Sequence, residues 1–381
     1  MKIVTVVGNR PQFMKASVVS RACKEHEKTA QLREVLVHTG QHYDNELSGI
    51  FFEQLKIPEP AYNLEIRSDR TVGQIGQMLK PLDDIFEKEK PDCVLVYGDT
   101  NSTLAAALTA AHFDVPLIHV EAGERVFRRY RYPEEVNRIL TDHCARLCLT
   151  VTQKAMNYLI KEGFSPSRLR FVGDPMYDLF LRASERIDEL STIDFHRLKV
   201  APSDYDLVTI HRAENTAEKA HLIEMMEVLD NSSFPSVFPI HPRTRKVLAQ
   251  ANWKPRHNLK IIKPVGYFDF IYLLLNCRKC ISDSGGVARE AFFAGRPCIC
   301  PMETSGWSEI VEAGWLLPVG HDVSRLADAL EYFEPKTEAP SGMFGDGRSG
   351  EKIVNEIVAF LEDRPDESIW QSGQQSGELI V

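Results

Sequence analysis

The strongest constraint on the fold is an alternation along the chain. Short apolar runs rich in β-branched residues stop at glycine, asparagine or charged residues, and amphipathic stretches of helical period follow them. Lys2–Val7 is such a run, broken at Gly8, with an amphipathic stretch from Pro11 to about His26. Val35–His38 then reads as strand, Glu46–Leu55 as helix and Val72–Lys88 as a longer helix. Cys93–Tyr97 reads as a buried strand closed by Gly98-Asp99-Thr100, Leu104–His112 as an alanine-rich helix and Leu117–Val120 as a further strand. Runs apolar on both faces and separated by helices predict parallel βαβ units.

A second series follows the polar stretch Thr192–Ser203. Its strands are expected at Asp206–Ile210, Val237–Ile240, Leu259–Ile262, Lys279–Ser282 and Pro297–Cys300. A chain of 381 residues is too long for one ordinary core and fits two α/β domains. The predicted architecture is therefore α/β, with two Rossmann-like doubly wound domains at 1–180 and 181–363. The Gln/Ser/Gly-rich segment 364–381 is expected to be a disordered tail.

Composition narrows the function. Hydrophobic residues at 43% and charged residues at 26% are the balance of a globular protein. A net charge of −9 argues against nucleic-acid partners, while leaving room for a small anion held by a few focused cations. No run approaches the roughly 20 apolar residues of a membrane helix. The start, with its five-residue apolar run Ile3–Val7 ending in Gly-Asn-Arg-Pro, does not read as a signal peptide, so a cytoplasmic location is expected. Cys277 and Cys280 have C-x2-C spacing, and Cys298 and Cys300 C-x-C, which raises zinc. Cys280, Cys298 and Cys300 fall in apolar runs, which reads instead as small core residues in a reducing compartment.

In open parallel sheets, ligands bind beyond the carboxyl ends of the strands. Here those ends carry Gly8, Asn9 and Arg10, with Lys15 a turn further on; Asp99 and Thr100; His119 and Glu121; His211 and Arg212; His241 and Arg243. Asp283-Ser284-Gly285-Gly286 enters a helix, where close backbone approach and free amides suit a phosphate. The plain alternative for that run is a helix cap and tight turn; His211, Arg212 and Arg10, expected on the same cleft, favour phosphate. Asp99, Glu121 and Glu134 form an acidic set suited to proton chemistry or to ion pairs, for instance Glu134 with Arg138 at i, i+4. Gly345–Gly350 matches G-x-G-x-x-G but follows no strand, and there is no Walker A run or G-x-S-x-G elbow.

Ordered blocks over Met1 to about Leu361 resemble the non-hydrolysing UDP-N-acetylglucosamine 2-epimerases: GNRPQFMK (8–15), HTGQHYD (38–44), YGDTNSTLA (97–105), HVEAG (119–123), PEEVNRILTDH (133–143), HRAENT (211–216), HPRTR (241–245), DSGGVAREA (283–291) and GDGRSGEKI (345–353). The resemblance implies a GT-B-like pair of domains with the active site in the cleft between them. It also implies inversion at C2 by elimination and re-addition of UDP, with neither metal nor cofactor. By motif position, Asp99, Glu121 and Glu134 resemble the catalytic carboxylates, and His211 the residue assisting departure of UDP. Arg10, Lys15, Arg138, Arg212, His241, Tyr267, Ser284, Gly285, Gly286 and Glu290 resemble the binding set. A UDP-sugar substrate and a homodimer are expected.

The chain departs from that pattern in ways that bear on the sugar. Gln12 stands where many members have Glu, and two family arginines are absent, as Met302 and Trp307. Gln41-His42-Tyr43-Asp44 lacks the arginine of the second, activating UDP-sugar site of similar bacterial enzymes. Arg125, Arg128, Arg129 and Arg131 crowd between Gly123 and Pro133, and Arg128 and Arg131 are candidates to hold a carboxylate on the sugar. The alternatives are accordingly a UDP-2,3-diacetamido-2,3-dideoxyglucuronate 2-epimerase, a glycosyltransferase of the same architecture, or a non-catalytic UDP-sugar binder.

Overall fold

The strands gather into two parallel sheets. The computed structural model describes residues 1–30, 32–40, 59–66, 70–127, 133–303 and 306–363. The first sheet is built from β1 (Lys2–Val7), β2 (Arg33–His38), β3 (Tyr62–Asn63), β4 (Cys93–Tyr97), β5 (Leu117–Val120), β6 (Leu147–Thr150) and β7 (Leu169–Phe171), in the order β3-β2-β1-β4-β5-β6-β7. The second contains β8 (Asp206–Thr209), β9 (Ser236–Pro239), β10 (Leu259–Ile262), β11 (Cys280–Ser282), β12 (Cys298–Cys300) and β13 (Leu316–Pro318), in the order β10-β9-β8-β11-β12-β13. Both are doubly wound, as the alternating pattern predicts.

The strand sequences explain the layering. β4 reads CVLVY and is wholly buried, since helices cover both faces. On one face Val4, Val6, Val94 and Val96 join Met78 and Leu82 of the helix Thr71–Glu89. Burying each such side chain contributes about 1.5–3 kcal/mol. Ala105, Ala106, Ala107 and Ala110 of the helix Asn101–His112 are buried in the same core, and their small side chains let its backbone lie close to the sheet.

The chain divides into two compact units, Met1–Pro175 with the segment from Gly345, and Met176–Phe344. The expected border at 180/181 therefore moves to 175/176. Residues 345–363, assigned from the sequence to the second domain, belong to the first. The cause is the helix Ser349–Glu362, which buries Ile353, Val354 and Ile357 and packs on the helix Arg10–Ala30. Gly350 permits the approach: a Cβ there would lie 2.7 Å from Val18 Cγ1 and 3.0 Å from its carbonyl oxygen. The G-x-G-x-x-G match at 345–350 is thus the entry to a packing helix. The expected helix Glu46–Leu55 and tail 364–381 lie outside the described residues.

In each sheet the strand order reverses at one place, between β1 and β4 and between β8 and β11. Loops on the two sides part there, which is where doubly wound sheets accept ligands. The cysteines are core residues, all buried except half-buried Cys144. Cys280 pairs in register with Cys298, and burial pushes the Cys277 thiol well up. Among the described residues no group of three or more His, Cys, Asp or Glu is arranged to hold a metal, and no helix is long and apolar enough to cross a membrane.

Candidate active site

At the reversal in the first sheet, β4 ends in Gly98 and Asp99. Thr100 then caps the helix Asn101–His112 by accepting from the Thr103 amide. Asp99 is half-buried, and Arg138 Nη2 reaches its Oδ2 at 2.5 Å. The other arm of Arg138 donates to Glu135 at 2.9 Å. Burial works against the charge of this guanidinium, and the carboxylates of Asp99 and Glu135 outweigh it. Asn137 adds a bond from its amide to the Asp99 carbonyl at 2.9 Å.

Glu121 follows β5 with a left-handed backbone, φ 69°, and is buried against Lys15, with which it forms an ion pair. Lys15 sits in the second turn of the helix Arg10–Ala30 and is itself buried. Gly98 leaves room for the pair: a Cβ there would be 3.0 Å from Glu121 Oε2 and 3.6 Å from Lys15 Nζ, and its own φ is 59°. Gln12 is a tie within this end of the sheet. Its amide donates to the Tyr97 carbonyl at 2.6 Å and to Thr103 at 2.8 Å, and it accepts from the Gly8 amide at 2.7 Å. A glutamate could not donate to that carbonyl unless protonated, so the amide suits its surroundings.

Glu134 is exposed in the first turn of the helix Pro133–Cys144, whereas its neighbour Glu135 is buried. Glu135 accepts from the amides of Val126 and Phe127 at 3.1 and 2.9 Å and from Arg138. The expected i, i+4 pair of Glu134 with Arg138 is therefore replaced by an i, i+3 pair with Glu135, because the buried side of this helix turns Glu135 inward. Of the loop arginines, Arg125 is enclosed by Asp142 and Glu162. Arg128 and Arg131 lie outside the described residues, as does Gln41–Asp44.

The second unit builds its site on Asp283, which follows β11 and is buried. Its Oδ2 accepts from the amides of His211 at 2.9 Å and Arg212 at 2.8 Å and from Asn215 at 3.0 Å. The loop after β8 is thereby folded so that the His211 ring lies 5.3 Å from that of His241. His241 caps the helix Pro242–Gln250 by accepting from the Arg243 amide, and Arg243 donates to the His211 carbonyl at 3.1 Å. Burial lowers the pKa of His211; Asp283 opposes this, and Arg212 and Arg243 reinforce it. His241 is lowered by burial and by His211 and Arg243.

Ser284 caps the helix Gly285–Phe293 by accepting from the Val287 amide, and the run that the sequence offers for a phosphate is the first turn of this helix. Trp307 closes one side of that turn, donating from Nε1 to the Gly285 carbonyl at 2.8 Å, and the Arg289 guanidinium stacks 4.5 Å from the Trp307 ring. Glu290 is buried on the same helix, and Tyr267 is buried at the start of the helix Tyr267–Leu275. Met302 is a core residue just beyond β12. Arg10 is exposed at the start of its helix. Asp99, Glu121, Lys15 and Arg138 thus gather in the first unit, and His211, Arg212, His241, Ser284, Gly285 and Gly286 in the second. Glu135 and Asp142 were not singled out from the sequence as site residues, and Asp283 entered only as the start of the run Asp283-Ser284-Gly285-Gly286. Only Asp283 had a signal, its place directly before Ser284-Gly285-Gly286.

Known proteins resemble the chain over nearly its whole length. Residues 24–358 match the family described as UDP-N-acetylglucosamine 2-epimerase. A Methanococcus maripaludis protein named UDP-N-acetylglucosamine 2-epimerase homolog is 44% identical over 358 residues, covering 93% of this chain and 98% of its own. The UDP-2,3-diacetamido-2,3-dideoxy-D-glucuronate 2-epimerase of Pseudomonas aeruginosa is 41% identical over 365 residues, covering 94% and 99%. The crystal structure of the Methanocaldococcus jannaschii UDP-GlcNAc 2-epimerase with UDP-GlcNAc and UDP superposes with a TM-score of 0.83 at 37% identity, over 94% of this chain and all of that one.

Proposed function

The chain belongs to the UDP-N-acetylglucosamine 2-epimerase family, and on that premise we propose that it is an isomerase inverting C2 of a UDP-linked N-acetylhexosamine, gluco to manno. The C2 proton of such a sugar is not acidic, so direct abstraction is uphill. Elimination avoids this: a carboxylate takes the C2 proton as the C1–O bond to UDP breaks, leaving a 2-acetamidoglycal and UDP. Returning a proton to the other face of C2 and rejoining UDP at C1 completes the inversion, with all atoms balanced.

The supporting observation is the content of the strand ends at the first reversal. Asp99 and Glu121 are fixed there by Arg138 and Lys15, giving two oriented carboxylates for proton transfer. In the second unit, His211, Arg212 and the Gly285 helix start supply donors for a departing diphosphate. The proposal includes a cytoplasmic homodimer, which sedimentation at assay concentration tests by giving twice the chain mass.

The decisive experiment is incubation with UDP-N-acetylglucosamine in deuterated water. Deuterium at C2 of the recovered UDP-sugar, together with the manno epimer, is expected. Intact sugar without exchange, across all candidate UDP-acetamido sugars, rules the epimerase out. A second reading keeps this chemistry and makes the substrate a diacetamido uronic acid, favoured by the arginines at 128, 129 and 131 and by the Pseudomonas aeruginosa relative.

A further inference from the structure

A chain of polar and charged side chains, buried except at its far end, adjoins the turns that carry Asp99 and Glu121. His119 lies in β5, two residues before Glu121, and has no exposed surface. Its Nε2 is 2.7 Å from the Gly98 carbonyl oxygen, the peptide leading into Asp99, and its Nδ1 is 2.7 Å from Asp142 Oδ1. Asp142, on the helix Pro133–Cys144, is equally buried. Its other oxygen accepts from the Gly123 amide at 3.2 Å and from Arg125 at 2.8 Å. Arg125 ends the chain in a two-point grip on Glu162 at 2.8 and 2.7 Å.

Both ring nitrogens of His119 therefore face acceptors. The peptide oxygen has no proton to give. At Asp142, burial opposes the charge, but the hydrogen bond and charge of His119 and the charge of Arg125 prevail, and the carboxyl is held below its usual range. A ring with one N–H would press a lone pair against one of these oxygens at 2.7 Å. Only a ring that donates on both sides satisfies the geometry. The four side chains then alternate in sign, three of them buried and the fourth, Glu162, exposed at the far end, so that each buried charge meets one of opposite sign.

We propose that His119 is a positioning residue for the reaction: donating from both nitrogens, it fixes the turn that presents Asp99 and, through Asp142, the turn that presents Glu121. The inference rests on the epimerase reading. The backbone here has reason to be held, since Gly98, Glu121 and Gly123 all have left-handed conformations, φ 59°, 69° and 82°, and Glu121 is not glycine. His119 meets the carbonyl at one end of this arrangement, and Asp142 meets the amide at the other.

Wild-type enzyme is first assayed for C2 deuteration; no turnover there overturns the epimerase reading alone, because the ring is observed separately. In protein labelled with 15N-histidine, both ring nitrogens of His119 are expected to carry a proton, one towards the Gly98 carbonyl and one towards Asp142, and a single ring N–H would overturn the inference. His119→Gln can donate to only one of the two acceptors. It should lower kcat roughly 10- to 100-fold while KM and UDP affinity stay within about twofold. Asp142→Asn keeps the shape and turns a donor towards the ring, so a singly protonated His119 satisfies both contacts. That variant should show one ring N–H and keep kcat within about fivefold, whereas Asp142→Ala falls as far as His119→Gln. If His119→Gln does not fold, the two Asp142 variants carry the test. An unchanged kcat in folded His119→Gln or Asp142→Ala, or a fall matching the unfolded fraction, overturns the positioning role.

Discussion

The two sets of strand ends handle charge in opposite ways. In the first sheet carboxylates are matched to cations: Asp99 and Glu135 to Arg138, Glu121 to Lys15, and Asp142 to Arg125, with the His119 ring on the other oxygen of Asp142. In the second, the buried Asp283 accepts from two backbone amides and from Asn215 and lies 3.3 Å from the His211 ring, leaving Arg212, His241 and Arg243 around an amide-rich turn. Matched pairs fix geometry with little net field, which suits proton transfer at one atom. A surplus of donors and protonatable rings attracts an anion, which suits a diphosphate. The contrast teaches that the proposed chemistry and the proposed binding are assigned to different sheets and should fail separately.

The largest expected effect tests that separation. Asp99→Asn, Glu121→Gln and Glu134→Gln should each lower kcat by about 10²–10⁴-fold, the usual contribution of a general acid or base. UDP affinity, measured by calorimetry, should hardly change. Asp283→Ala removes the acceptor of two amides and of Asn215, each bond to a charged group contributing about 1.5–3 kcal/mol. It should weaken UDP binding and lower Tm together. Loss of UDP affinity in Asp99→Asn equal to that in Asp283→Ala would break the comparison. A Glu134→Gln variant with normal kcat would instead sharpen it, removing the one carboxylate that is exposed on its helix.

Much of this was legible in the sequence, for reasons of length. β1, β4, β5 and β10 fall where their apolar runs predict, because runs of four to six residues, four or five of them buried in β1, β4 and β5, give a clear signal. β11 and β12 have only three residues each and were still marked by their apolar runs, whereas β3, with two residues, and β7 and β13, with three, carry no such mark, and pairing with a neighbour is what makes them strands. The return of residues 345–363 to the first unit was illegible because nothing in an amphipathic helix says which sheet it will cover. At the site, residues adjoining glycine turns announced themselves. Glu135 and Asp142 did not, since an acidic residue on a helix reads the same whether it is solvated or, as here, turned inward onto amides and guanidinium groups.

A smaller effect follows from the histidines of the second set. Burial holds His211 and His241 below the ordinary imidazole value of about 6.5. The unfolded chain therefore takes up these protons first as the pH drops. Their contribution to stability is complete above about pH 6.5 and is lost as the pH falls towards the folded-state values. Tm of the free enzyme should decline over that window, and His211→Asn should flatten part of the decline. A bound diphosphate favours the charged rings, so UDP-N-acetylglucosamine, whose diphosphate keeps its charge here, should raise Tm more at about pH 6 than at about pH 8. An equal rise at both values would place the diphosphate away from the two rings and undo their assignment.

The smallest effect concerns the sugar and turns the same contrast on the loop arginines. If matched charge marks structure and unmatched charge marks binding, Arg125 belongs to the structure. It lies between Asp142 and Glu162, with a guanidinium that these two carboxylates keep charged despite burial. Arg125→Gln should lower Tm, because it strands the buried Asp142 without its cation. It should not alter the ratio of kcat/KM between a UDP-diacetamido uronic acid and UDP-N-acetylglucosamine. Arg128→Ala and Arg131→Ala should do the reverse if the sugar bears a carboxylate, shifting that ratio towards UDP-N-acetylglucosamine by about tenfold, the value of one good charge-assisted contact, with Tm nearly constant. A wild-type ratio already favouring UDP-N-acetylglucosamine, unmoved by either substitution, leaves the plain acetamido sugar as the substrate. The arginine cluster would then be surface charge around one buried member, Arg125, and matched pairing would account for the only loop arginine whose placement is described.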